Sequence, residues 1–90
     1  MLEGTVKVIN PLGLHARAAA QLVQLAGSFN SGVILTRVDN STTVDAKSIL
    51  NVLTLAASMN TTLRLNVKGE DETQAFEAIC GLFTNGFGEI

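Results

Sequence analysis

Between Leu2 and Ile9 the chain alternates Gly4, Val6 and Val8 against Thr5, Lys7 and Ile9. A side-chain period of two with several β-branched residues predicts a first strand with one face on a core. The run Asn10-Pro11-Leu12-Gly13 ends it,. From Ala16 the period lengthens. Ala19, Leu22, Val23, Ala26 and Phe29 share one helical face, while Gln21, Gln24 and Ser28 share the other, predicting a helix that closes near Gly27 or Phe29,. Val33–Val38 predicts a second strand, and the turn cluster Asp39-Asn40-Ser41 folds it back as a hairpin onto Thr42-Thr43-Val44,. Helical spacing returns from Lys47 to about Leu55, with Ser48 as N-cap,. A fourth strand, Thr61–Val67, alternates Leu63, Leu65 and Val67 with Thr62, Arg64 and Asn66 and stops at Gly69,. Glu70, Asp71 and Glu72 then put negative charge where a helix macrodipole favours it, with Asp71 and Gln74 as a candidate capping box,. Ala75, Phe76, Ile79, Leu82 and Phe83 form that last helix's apolar stripe.

The order βαββαβα predicts an α+β open-faced sandwich, a four-stranded antiparallel sheet with three helices on one face. Thr5, Lys7, Arg64 and Asn66 suit the opposite, wet face. Its 90 residues suffice for one domain, 1–90, around one core,. Six Lys+Arg against eight Asp+Glu leave a net charge of −2, which argues against a nucleic-acid binder needing a basic stripe,. The single cysteine, Cys80, cannot form an internal disulfide, and no Cys/His cluster exists to hold zinc,. A reducing cytoplasm fits this usage. The start of the chain lacks a basic region followed by an apolar block, so no signal peptide is expected,. Ala18–Thr36 is uncharged, but Gln21, Gln24, Ser28, Asn30 and Ser31 would be buried in lipid, so it is not read as a membrane span,. Cys80, Phe29, Phe76 and Phe83 are expected in the core, with Phe87 either covering a sheet edge or loose,.

Candidate chemistry gathers at the lone histidine, in Leu12-Gly13-Leu14-His15-Ala16-Arg17. The amides of Ala16, Arg17 and Ala18 open a helix without intrahelical acceptors, so they can bind an anion beside the imidazole. Arg17 adds a permanently charged fork for phosphate oxygens. The same dipole disfavours imidazolium, which would keep His15 nucleophilic. By residue type alone a second reading stays open, in which His15 ends a loop and Arg17 is a solvated surface charge.

The segment Gly13-Leu14-His15-Ala16-Arg17-Ala18-Ala19 resembles the active-site segment of the histidine-containing phosphocarrier (HPr) family of the phosphoenolpyruvate-dependent phosphotransferase system. Ala46-Lys47-Ser48-Ile49-Leu50 is similar to that family's serine-containing entry into its second helix, and Gly69-Glu70-Asp71-Glu72 to its entry into the last. The resemblance spans essentially the whole chain. It implies that His15 accepts a phosphoryl group on Nδ1 from phosphorylated enzyme I and passes it to an EIIA-type acceptor, with Arg17 steadying the phosphate and no metal or cofactor. The implied protein is a carrier and not a multiple-turnover enzyme, with a monomer as the expected form. Ala18 stands where the family usually has proline, and Leu82–Phe87 resembles the nitrogen-related branch.

In some relatives the serine matching Ser48 is phosphorylated by a dedicated kinase, although Asn51 stands where those relatives often have glycine. Ile49, Leu50, Leu53, Leu12 and Leu14 can be either core or, by the resemblance, an apolar docking surface with Lys47 and Arg17 as its basic rim. Two competing readings are a non-catalytic protein-binding module on the same fold and an acylphosphatase-like hydrolase. The hydrolase family's Gly-rich loop with its arginine is not matched near the first strand here, its helix-borne Asn has no counterpart, and the module is disfavoured by the presence of His15.

Overall fold

The computed structural model describes residues 1–90. Strands β1 (Leu2–Lys7), β2 (Gly32–Arg37), β3 (Thr43–Asp45) and β4 (Thr62–Lys68) alternate with helices α1 (Ala16–Gly27), α2 (Ile49–Thr54) and α3 (Glu72–Thr84), and a 3₁₀ turn follows at Gly86–Gly88. The expected order is found. Pairing is antiparallel throughout, in the spatial order β1-β4-β2-β3. The register sets Thr5 opposite Arg64 and Leu35 opposite both Val44 and Leu65.

That register follows from the period of two. Val6, Val33, Leu35, Val44, Leu63, Leu65 and Val67 all turn into a 21-residue apolar cluster under the helices,. Thr5, Lys7 and Arg64 are exposed on the other face, and Asn66 is half-buried there. β1 is shorter than the pattern predicts because Val8 leaves the β4 ladder. It bonds instead to the turn before that strand, through Val8 N to Thr61 O (3.0 Å) and Asn60 N to Val8 O (2.6 Å).

Helix α1 buries Ala18, Ala19, Leu22 and Ala26, with Val23 and Phe29 packed partly against the core. Helix α2 begins at Ile49, not Lys47. Ser48 is its N-cap, and its Oγ accepts from Asn51 N at 3.4 Å. The carbonyls just past α2 are satisfied from the end of β2. Arg37 donates to Leu55 O at 2.7 Å and Ala56 O at 3.1 Å, while its fork holds Asp39 and keeps that carboxyl below its usual range,.

The capping box expected at α3 does not form. Asp71 occupies the N-cap position, but its backbone (φ −106°, ψ 30°) lacks the extended geometry that folds a cap side chain over the first turn,. Its carboxylate reaches instead to the α1–β2 loop, accepting from Asn30 N and Ser31 N, both at 2.9 Å, and from Ser31 Oγ at 2.5 Å. Glu72 accepts from a different amide, Gly69 N, at 3.1 Å.

The bonds to Ser31 Oγ and to the Asn30 and Ser31 amides lower the Asp71 carboxyl from its ordinary value,. A lowered folded value means stability that is full above the unfolded value, about 4, and lost as pH falls through the folded one. Asp71→Asn should therefore be less stable than the wild type at neutral pH. The difference should close only on acidification below about pH 4, as read by urea midpoints across a pH series.

On α3, Ala75, Ile79 and Phe83 are buried, while Phe76, Cys80 and Leu82 are half-buried. Phe76 lies over Gly4, where any Cβ would stand 2.7 Å from the ring. Phe87 is not loose. It is 3% exposed, and its ring meets Phe83 edge-on at 5.0 Å between centroids and 72° between planes,. No helix is long and apolar enough to cross a membrane.

Candidate functional site

The site begins in the loop after β1. Gly13 N donates to Asn10 O at 3.0 Å, and the wholly buried Asn10 side chain returns a bond from Nδ2 to Gly13 O at 2.8 Å, closing a tight turn. Gly13 adopts φ +70°, and a Cβ there would stand 2.6 Å from Ala57 O, so neither the backbone conformation nor the space admits a side chain,. Leu14 N then bonds Ala57 O at 2.8 Å. The Leu14 side chain is 5% exposed and belongs to the core, which corrects its expected place on a docking surface. Its burial has a positional cause: Leu14 follows a turn pinned on both sides, and the pinning drives its side chain inward.

His15 is therefore delivered between two buried residues, Leu14 and Ala18. It is itself the N-cap of α1, with extended backbone (φ −74°, ψ −180°). Its carbonyl accepts from Ala19 N at 2.8 Å, and its Nδ1 accepts from Arg17 N at 3.3 Å. An imidazole nitrogen thus stands where a serine or aspartate oxygen usually caps a helix. Of the three amides expected to be free, Arg17's is already engaged by Nδ1. The Ala16 and Ala18 amides have no backbone acceptor. The Ala18 N–H is a donor that a proline at this position would lack. Arg17 is exposed and enters no ion pair within the chain.

Glu89 was not legible as a site residue. Its Oε2 lies 2.5 Å from His15 Nε2, across 74 residues of sequence, and its Oε1 accepts from Asn10 Nδ2 at 2.8 Å. The Asn10 bond, followed by the His15 contact, holds the Glu89 carboxyl below its ordinary range, so it is ionised at neutral pH,. No local motif marks this residue. The one sequence signal was Phe87, whose burial brings the segment back onto the fold.

Among the docking candidates, Leu12 and Leu50 are 71% and 74% exposed, and Ile49 and Leu53 are also solvent-facing. The loop carrying Leu12 is bonded to Ala57, just past α2, and α1 packs against α2. Lys47 is not a free rim charge, since its Nζ donates to Phe29 O at 2.8 Å and ties α2's entry to the end of α1. Ser48 is half-buried as the α2 cap. A depression of about 250 Å³ lies along the β1–α3 edge, between Thr5, Lys7, Ile9, Cys80 and Thr84, and none of the site residues lines it. Burial pushes the Cys80 thiol up there, away from the reactive thiolate,. No three His, Cys, Asp or Glu side chains converge as a metal site.

Fold and site together define an open-faced sandwich that presents a hydrogen-bonded imidazole and an unpaired arginine at a helix N-terminus, an arrangement suited to holding a phosphate in the open. A family model described as PTS HPr component phosphorylation site matches residues 2–85. Phosphocarrier protein HPr of Cupriavidus necator is 49% identical over 89 residues, 99% of this chain and 98% of the relative. The solved HPr of Thermoanaerobacter tengcongensis superposes with a TM-score of 0.94 at 37% identity, over 100% of this chain and 99% of that one. Crh of Bacillus subtilis, described as a domain-swapped dimer, matches with a TM-score of 0.74 and 37% identity over 96% and 97% of the two chains. The chain belongs to the HPr family of phosphocarriers of the phosphotransferase system.

Proposed function

We propose that His15 receives a phosphoryl group on Nδ1 from phosphorylated enzyme I and hands it to an EIIA-type acceptor. The observation that supports this is the aim of Nδ1. Its lone pair faces the N-terminus of α1, next to the unpaired amides of Ala16 and Ala18. In the transfer the Nδ1–P bond forms while the bond from phosphorus to the donor breaks. The Arg17 amide, released from Nδ1, becomes a third donor for the phosphoryl oxygens, and the Arg17 guanidinium adds charge. Positioning and charge of this kind are most of what phosphoryl transfer asks of a protein. The helix end stays open to solvent, so cargo can leave as easily as it arrives. Incubation with enzyme I and phosphoenolpyruvate should give one acid-labile phosphate per chain, with a phosphorus NMR signal of an Nδ1 phosphoramidate. Absence of that signal overturns the reading.

In this reading the carrier works as a monomer, and Leu12, Ile49, Leu50 and Leu53 form the apolar docking surface. Leu50→Glu should leave the fold unchanged, because the side chain is 74% exposed,. It should slow transfer from enzyme I by roughly tenfold or more, the cost of losing a well-packed interface anchor. Single-turnover kinetics check this, with a change appearing in the apparent affinity for the partner. Ser48 enters as the site of a regulatory kinase. A phosphate there would sit on α2's own amides beside exposed Leu50, so it would act on docking by charge and not by unfolding,.

A further inference from the structure

Two contacts on opposite nitrogens of the His15 ring select the same proton arrangement. Arg17 N–H points at Nδ1 at 3.3 Å, which therefore presents a lone pair, while the Glu89 carboxylate lies 2.5 Å from Nε2, which must present a hydrogen,. We infer that Glu89 is a positioning residue for the transfer, holding the imidazole proton on Nε2 so that Nδ1 is left as the nucleophile. This inference rests on the reading of His15 as the phosphoryl acceptor. Glu89 lies outside the residues 2–85 matched by the family model.

The chain holds Glu89 in place by means unrelated to His15. Gly86, Phe87 and Gly88 all adopt positive φ (59°, 56° and 74°), folding the backbone sharply after α3. Phe87 is buried against Phe83, and Asn10, wholly buried, donates to Glu89 Oε1 at 2.8 Å while also bonding Gly13 O. The carboxylate is thus fixed to the same turn that presents His15. As the Nδ1–P bond forms and the donor's bond to phosphorus breaks, the ring gains positive charge. The Nε2 proton stays on the ring and its bond to the carboxylate strengthens. No proton leaves, and the sequence reverses when the phosphoryl group is handed on.

Two variants of the full chain separate this role from a structural one. In Glu89→Gln, Asn10 N–H still requires an acceptor, so the amide oxygen faces Asn10 and the amide NH₂ faces Nε2. Nε2 must then accept, and the proton is driven to Nδ1, as happens when the triad aspartate of a serine protease becomes an amide. Glu89→Ala leaves only the longer Arg17 contact to bias the ring, so both tautomers become populated. Nitrogen-15 NMR of the unphosphorylated protein should show pyridine-type Nδ1 and pyrrole-type Nε2 in the wild type, a mixture in the alanine variant and the reversed pattern in the glutamine variant. The transfer rate from phosphorylated enzyme I should fall about tenfold in the alanine variant and further in the glutamine variant, in line with loss of one charge-assisted bond.

A merely structural role gives the opposite ranking, with near-isosteric glutamine milder than alanine. That ranking, or wild-type nitrogen patterns in both variants, overturns the inference. If the wild type takes no phosphoryl group at all, the proposed function fails, while the nitrogen patterns still decide whether Glu89 sets the tautomer.

Discussion

His15→Ala is expected to take phosphate incorporation from phosphoenolpyruvate and enzyme I to zero while leaving a folded protein. The chain has one histidine, and no other nucleophile stands at the N-terminus of α1. Cys80 is half-buried at the β1–α3 edge with its thiol pushed up, and the Ser48 hydroxyl caps a different helix. The fold should survive because the side chain caps its own helix only through the long bond, 3.3 Å, from Arg17 N, and the Glu89 carboxylate that loses its contact with Nε2 keeps its bond from Asn10. Loss of such a cap costs about 1 kcal/mol or less, against a total stability of roughly 5–15 kcal/mol for a domain of this size. Acid-labile labelling and a urea unfolding curve on the same preparation check both halves. Label retained in the variant would move the acceptor to another side chain and remove His15 from the centre of the site.

The largest loss of stability is expected from Phe83→Ala. Phe83 is 1% exposed on the buried stripe of α3 and carries the edge-on contact with Phe87. Truncating a buried phenylalanine costs about 3–5 kcal/mol, combining lost transfer energy with the cavity left behind. That is a large share of the roughly 5–15 kcal/mol such a domain has available, so the urea midpoint should drop steeply. A fall under about 1 kcal/mol would mean that the neighbours collapse into the space. The variant should also loosen the turn at Gly86–Gly88, because Phe87 loses the ring it packs on. Glu89 would then hold Nε2 less firmly, and the nitrogen-15 pattern of His15 should blur toward a mixture of tautomers, a functional change 68 residues along the chain from the mutation.

Element boundaries moved by one or two residues where tertiary bonds competed with local pattern. β1 stops at Lys7 because Val8 pairs with the turn at Asn60 and Thr61, and α2 starts after Ser48 because Lys47 is drawn toward Phe29. The capping box at α3 failed for the same reason. Asp71 and Gln74 have the right spacing, but Ser31 and the amides of Asn30 and Ser31 offer the carboxylate three bonds from another part of the chain. Leu12 and Leu14 are two leucines flanking one glycine, and no periodicity says which of them turns inward. The bond from Leu14 N to Ala57 O decides it, burying Leu14 and leaving Leu12 in solvent.

The residue order alone determined the periods of the strands and helices, the cap at Ser48, the apolar and wet faces of the sheet, and the histidine beside the opening amides of α1. These are effects of neighbours within a turn or a few strand residues, where the spacing of side chains is set by backbone geometry. The strand order, the inward turn of Leu14 and the carboxylate on Nε2 depend on where distant segments come to rest. Glu89 and His15 lie 74 residues apart, and only the packing of Phe87 on Phe83 and the bond from Asn10 bring them together.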